Sequence, residues 1–307
     1  MTSYTQGAPL PPASAGGPVE HATLVDALKA TAAANKPGRG LRFLQQGVET
    51  FETYAELLAA SRLIFGSLQE LGLKKGDAMV LQISSMRDHV HCIWGCALGG
   101  ITPVNISIPQ VYELKSSVFQ KMLGVLDNLR IFNPRILSSP QNVEPLKKLL
   151  PQTPEGKNTL VHDLTTLPPA PLMVVEPTLT GEDVLFYQLT SGSTGRSKCI
   201  PERHCAVISH LRHSIVHCSY LETDVTVNWL PFDHVVPMLT YHLCDVYLGR
   251  HAVEMPTADI LADPLLWVRV MDKYRCTHSW APNFGFKLVV KALQVCITTR
   301  TCTCMRA

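Results

Sequence analysis

Apolar and polar positions along this chain fall into blocks that alternate between helical and extended spacing. From Thr23 to Ala34 a short helix precedes a turn at Pro37-Gly38-Arg39-Gly40. Thr53 with Glu56 three residues on forms a capping box, and Leu57, Ser61, Ile64, Phe65, Leu68 and Leu71 then keep one helical face mostly apolar up to Gly72. Lys74-Lys75-Gly76-Asp77 turns the chain into an apolar run from Ala78 to Ile83, which predicts a buried strand. A helix from Asp88 to about Leu98 and a strand from Pro103 to Ile106 follow. The alternation continues through Val118–Leu129, Arg135–Leu137, Val143–Leu150 and Leu160–Val161. Short links between such blocks predict an α/β fold of layered parallel sheets flanked by helices.

Further on, four prolines between Leu167 and Pro177 mark an extended connector. Leu185 to Leu189 is apolar or aromatic apart from Gln188, as in a mostly buried strand. Cys199-Ile200-Pro201 reads as a short strand, and Cys205 to Tyr220 as a helix with Ile208, Leu211 and Ile215 on its buried stripe. Thr226 to Leu230 is a strand that runs into Pro231-Phe232-Asp233-His234.

Composition narrows the class. With 307 residues, 46% hydrophobic and 17% charged, the chain supports one large core or two smaller ones. A net charge of +2 without a basic run among aromatics gives no nucleic-acid footprint. No apolar run reaches the roughly 18 residues of a membrane span. No charged segment followed by an apolar one marks a secretory leader, so the ten scattered cysteines are expected to be thiols in a cytoplasmic protein. The first twenty residues, rich in Pro, Gly, Ala and Ser, are expected to be a disordered leader.

The chemistry concentrates after the Leu185–Leu189 strand. Thr190, Ser191, Gly192, Ser193, Thr194, Gly195 and Lys198 combine four hydroxyls, two glycines and an ammonium. Glycines allow backbone N–H groups to approach a ligand, hydroxyls donate to phosphate oxygens, and a lysine supplies a point charge. Two residues separate Gly195 from Lys198, so this is not the Walker A spacing. A phosphate cradle and a solvated Gly/Ser turn between strands are both open on these residues alone. His234 stands at a strand end, where open α/β sheets place ligands, although an Asp-His pair is more often structural. His210, His213 and His217 share one helix face away from the apolar stripe, the pattern of a solvated face more than of a metal site. Cys302-Thr303-Cys304 is too tightly spaced for a Cys-x-x-Cys pair.

Thr190 through Lys198 also resemble the signature loop of the adenylate-forming (AMP-binding) superfamily, Thr/Ser-Ser-Gly-Ser/Thr-Thr-Gly-x-x-Lys, at every defined position. Ser197 and Cys199 depart from the proline and glycine common there. Thr53–Leu57, Gly76-Asp77 and Gly99–Val104 fit further family segments in the expected order. The runs Asn228–Met238, Tyr241–Leu243, Asp245–Gly249 and Thr277–Phe284 look closest to the adenylation domain of fungal nonribosomal-peptide-synthetase-like enzymes of secondary metabolism. The resemblance covers about residues 23 to 290. It implies a partial N-terminal domain of the adenylate-forming fold, with ATP and Mg2+ as cofactors and the loop holding the β- and γ-phosphates.

By the same resemblance His234 lines the channel between nucleotide and acyl group, and Val235 falls where amino-acid-activating members carry an aspartate for the substrate ammonium. Burying an ammonium without a counter-charge costs several kcal/mol. The resemblance therefore implies an aryl, α-keto or fatty acid as the carboxylic acid partner, with Asp233 as an anchor should the register differ by one. The thiol acceptor would be a carrier-protein phosphopantetheine or coenzyme A.

After Lys291 the composition changes, with three cysteines in nine residues, and residues 291–307 are expected to form an atypical tail. The family's later Tyr-Gly-x-Thr-Glu segment, its ribose-binding aspartate and its C-terminal lysine domain do not occur in these 307 residues. The expectation is a C-terminally truncated adenylation domain with weak or no turnover. A non-catalytic nucleotide-binding fragment and a non-functional remnant are the alternatives.

Overall fold

Two threonine-headed capping boxes set the first helices. In the computed structural model, which describes residues 20–191 and 197–299, Thr23 accepts from the Asp26 N–H and Thr53 from the Glu56 N–H. They open α1 (Leu24–Ala34) and α2 (Tyr54–Glu70). Each acidic side chain returns a bond to the cap N–H, so two otherwise unpaired donors are satisfied at each start. Between them lies a hairpin that the sequence pattern does not announce, β1 (Gly40–Gln45) and β2 (Val48–Glu52). Its turn is Gln46-Gly47, both at positive φ (53° and 76°), as tight two-residue hairpins require.

The next elements follow the predicted alternation: β3 (Ala78–Gln82), α3 (Met86–Leu98), β4 (Thr102–Asn105), α4 (Ser117–Asn128), β5 (Arg135–Ser138), α5 (Pro140–Leu149) and β6 (Val161–Asp163). β3, β4, β5 and β6 form an all-parallel sheet in the order β4-β3-β5-β6. Every residue of β3 is buried, as expected for a central strand covered on both faces. α2 and α3 pack closely at Gly95, where an added Cβ would stand 2.6 Å from Ile64 Cγ2.

The antiparallel hairpin β7 (Val184–Ser191) and β8 (Ser197–Arg203) leads into α6 (His204–His217), whose Ile208, Leu211 and Ile215 are buried as predicted. Then come β9 (Val225–Asn228), a π-helical segment at Pro237–Leu243, α7 (Cys244–Leu248), β10 (His251–Glu254), α8 (Thr257–Ala262), α9 (Pro264–Lys273) and α10 (Asn283–Thr299). A second sheet runs β2-β1-β10-β9, parallel except for β2. It draws β1 against a strand more than two hundred residues later, a pairing that local pattern does not reveal.

The main core cluster lies around α1, α2, α3 and α6, with two smaller ones, behind the parallel sheet and around Trp229 and Trp267. α10 runs through Lys291 without a break, so the compositional change there does not coincide with an element boundary. Residues 1–19 of the expected leader and residues 300–307, with Cys302 and Cys304, lie outside the described residues. No helix among the described residues is long and apolar enough to cross a membrane.

Candidate functional site

The parallel strands end in polar residues. Gln82 closes β3, Asn105 β4, Ser138 β5, Asn228 β9 and Glu254 β10, and all five are buried. Buried polar groups need partners, so a polar rim on apolar strands is where side chains from different elements meet. Ligands of open α/β sheets bind beyond the same carboxyl ends.

Asn105 of that rim and three further side chains, Ser107, Lys121 and Gln188, converge on the turn after β9. Asn105 Nδ2 donates to the Phe232 carbonyl (3.3 Å), and Asn105 Oδ1 bonds His89 Nε2 of α3 (2.8 Å). The Ser107 hydroxyl donates to Asp233 Oδ2, and Lys121 Nζ of α4 stands 3.9 Å from the same oxygen. Gln188 Nε2 of β7 donates to the Asp233 carbonyl (3.3 Å). The turn is thus held to β4, α4 and β7 at once. Asp233 Oδ1 is buried without a hydrogen-bond partner among the described residues.

Beneath the turn, Phe232 packs edge-on against His89 and His242, with centroids 5.7 and 5.4 Å away. Trp94 Nε1 donates to His242 Nε2 at 2.8 Å, which requires that nitrogen to be unprotonated. Burial, with a smaller contribution from His89, pushes His242 down to about 3, and burial also lowers His89. Both rings are neutral parts of the scaffold.

The predicted site residues fall as follows. Thr190 and Lys198 are directly paired across the β7–β8 hairpin, and both are exposed. Gln188 lies two residues before Thr190, so in an extended strand it shares their face. The hairpin face carrying Thr190 and Lys198 is therefore the one that binds the His234 turn through Gln188. Ser191 closes β7, while Gly192, Ser193, Thr194 and Gly195 lie outside the described residues. His234 donates its N–H to the Pro231 carbonyl (3.2 Å), and its ring is exposed, as is Val235 at 42%. A cavity of about 230 Å³ adjoins the turn, lined by Ile83, Met86, Ile106, Phe232, Asp233 and Met255 among others.

Asn105, Ser107, Lys121, Gln188 and His89 were not anticipated. Only Asn105 carries a signal readable in the residues, a polar residue ending an apolar strand. What the sequence lacks is the distance, since Asn105 meets Phe232 across 127 positions. His210, His213 and His217 are exposed on α6, and no group of three or more His, Cys, Asp or Glu side chains suited to a metal occurs among the described residues.

Known proteins are similar in sequence and fold. Microperfuranone synthase of Emericella nidulans is 28% identical over 251 residues, covering 79% of this chain and 25% of its own length. Among solved structures, McyG A-PCP complexed with phenylalanyl-adenylate superposes with a TM-score of 0.81 at 29% identity, over 89% of this chain and 43% of that one. The adenylation domain of a keto acid-selecting nonribosomal peptide synthetase module, bound to keto acyl adenylate, gives a TM-score of 0.79 at 30% identity, over 91% of this chain and 52% of that one. The chain spans a quarter of the synthase and about half of these structures. The AMP-binding enzyme family matches residues 30–301, and the chain belongs to that family.

Proposed function

We propose that this chain is the N-terminal part of an ATP-dependent adenylation domain that activates a carboxylic acid as its acyl-adenylate. The observation that carries the reading is the tie between the Thr190/Lys198 hairpin and the His234 turn, made by Gln188 at the carboxyl ends of the parallel strands. In the proposed reaction the acid's carboxylate attacks the α-phosphorus of ATP and pyrophosphate leaves. Lys198 and the hydroxyls of Thr190, Ser191, Ser193 and Thr194 would hold the departing phosphates, with Gly192 and Gly195 letting the backbone close on them. Their contribution is charge neutralisation and positioning. Mg2+ bound to the nucleotide would supply further neutralisation.

His234 and Val235 would line the acyl side. Val235 offers no charge to a substrate ammonium, and this favours an acid without an α-amino group: aryl, α-keto or fatty. The likeness to a keto acid-selecting module supports the same class. The acyl group would then pass to a carrier-protein phosphopantetheine thiol or to coenzyme A, in a pathway of secondary-metabolite biosynthesis.

Acid-dependent exchange of labelled pyrophosphate into ATP tests the assignment, run with phenylpyruvate, benzoate, octanoate and phenylalanine. The expected order places a non-amino acid above phenylalanine. Exchange with phenylalanine alone contradicts the substrate class.

A further inference from the structure

At the opposite end of the β2-β1-β10-β9 sheet lies a larger cavity, of about 510 Å³. Its walls come from the last turns of α1 and α7, the chain entering β1, and the segment between α6 and β9. It opens where β1, β9 and β10 begin, whereas the candidate site lies where β9 and β10 finish, four residues or about 13 Å further along the strands. The two places share no lining residue.

The interior is aromatic and held in place. Tyr54 is buried and donates its hydroxyl to the carbonyls of Asp245 (3.0 Å) and Arg250 (2.8 Å). Tyr220 has the Arg250 guanidinium over its ring at 5.1 Å and His278 edge-on at 4.9 Å. Tyr247 meets the edge of His21 at 5.6 Å. Three fixed tyrosine rings with Ile215, Leu221 and Leu248 make a predominantly apolar chamber of the size that takes a small molecule.

The mouth is cationic. Lys36 and Arg39 both line it, and the one carboxylate there, Glu222, is bonded by Lys36 at 2.5 Å. Arg39 is half-buried and close enough to Glu222 to act on it electrostatically, yet its side chain makes no hydrogen bond and no ion pair within 4.0 Å among the described residues. Two cations against one carboxylate leave one positive charge facing an apolar chamber. A planar guanidinium with free donors matches a carboxylate in two parallel bonds.

We propose that this cavity is a second ligand site, which binds a small aromatic carboxylate with its ring among Tyr54, Tyr220 and Tyr247 and its charge on Arg39. The site is independent of the proposed adenylation chemistry: it uses neither the hairpin nor the His234 turn. A ligand there would join α1, α6 and α7 and stabilise the fold by mass action.

Calorimetric titration of the full chain with benzoate, and with benzylamine as the charge-reversed probe, tests the proposal. Benzoate should bind saturably below about 10 mM, the range of a fragment-sized ligand. Arg39→Met should weaken it at least tenfold, and Arg39→Lys by less, because the charge stays while the fork is lost. Ala34→Trp, which fills the cavity from α1, should abolish it. Leu172→Ser, exposed and outside both cavities, should leave it unchanged, whereas Val235→Trp, at the candidate acyl end, reports only on binding at that end. Thermal midpoints of the variants establish that each is folded, and Arg39, being half-exposed, is the variant expected to fold normally. Absence of saturable binding, benzylamine binding as tightly as benzoate, or loss in Val235→Trp with retention in Arg39→Met each overturns the proposal.

Discussion

The two ends of the parallel strands solve the problem of buried polarity in different ways. At the amino end of the β10 sheet opposite charges are sealed together inside the protein, with Arg250 Nη1 left without a hydrogen-bond partner among the described residues. Arg250 and Asp245, both fully buried, form an ion pair at 2.6 Å, and Thr226 adds a bond to the other carboxylate oxygen at 2.8 Å. Tyr54 ties the carbonyls of both residues. At the carboxyl ends the polar groups instead hold a turn, and two carboxylate oxygens, Asp233 Oδ1 and Glu254 Oε1, have no hydrogen-bond partner among the described residues. An ion pair sealed among packed side chains fixes the fold and adds little chemistry. A network with a spare acceptor beside a cavity and an exposed histidine retains the capacity to meet a ligand. The difference shows that burial of charge alone does not locate a functional site: the most buried ion pair here is a structural clasp.

The largest effect expected from this contrast is on stability at the amino end. Arg250→Met leaves Asp245 buried without its partner, and should lower unfolding free energy by about 3–5 kcal/mol in urea titration. The double variant with Asp245→Leu should recover part of that loss. Equal losses in the two would place the stabilisation in packing and remove the clasp from the account.

A smaller effect separates the ends by pH. His204 accepts the Leu24 N–H on Nδ1 at 3.1 Å, and burial above all holds it down at about 4. His242 is held at about 3. Both folded values lie below the unfolded value near 6.5. The unfolded chain therefore takes up protons that the folded chain refuses, so stability is full above about pH 6.5 and falls as pH is lowered. Each buried ring should account for about 2 kcal/mol by pH 5. Asp245, raised to about 6 by burial against the pull of Arg250, has the opposite sense at lower pH, so a variant is needed to isolate the histidines. His204→Asn keeps an acceptor for Leu24 and should flatten its share of the slope between pH 7 and 5. An unchanged slope would mean that His204 is already protonated in the fold.

At the carboxyl end, Asp233→Asn should cost about 1–2 kcal/mol through the weakened bonds from Ser107 and Lys121. The sharper readout is local: the His234 ring resonances should shift in the NMR spectrum, because the turn is held through that side chain. Unperturbed His234 signals would detach Asp233 from the positioning of the turn.

How much of this was legible in the residues divides along the same lines. The Thr53/Glu56 box, the apolar run of β3 and the Ile208–Leu211–Ile215 stripe are local signals, and each was found where expected. The β1–β2 hairpin was not read, because Leu44 beside Phe43 breaks the apolar alternation and Gln46 takes a positive φ that glycine usually marks. The loop residues stood out by composition and His234 by its place at a strand end. Their supporting residues did not, since Asn105, Lys121 and Gln188 are ordinary polar residues until the fold brings them to one turn. The Arg250–Asp245 clasp was equally invisible: five residues apart and separated by a helix end, they carry no motif.

The central claim is that the hairpin at residues 190–198 grips the terminal phosphates of a nucleotide. Calorimetric titration of Mg·ATP into the wild-type chain and into Lys198→Ala tests it most directly. Lys198 is exposed, so its removal should change stability by less than about 0.5 kcal/mol. The account predicts that the same change weakens Mg·ATP binding at least about tenfold, or about 1.4 kcal/mol. Equal affinity in the two proteins, with both folded, would contradict it.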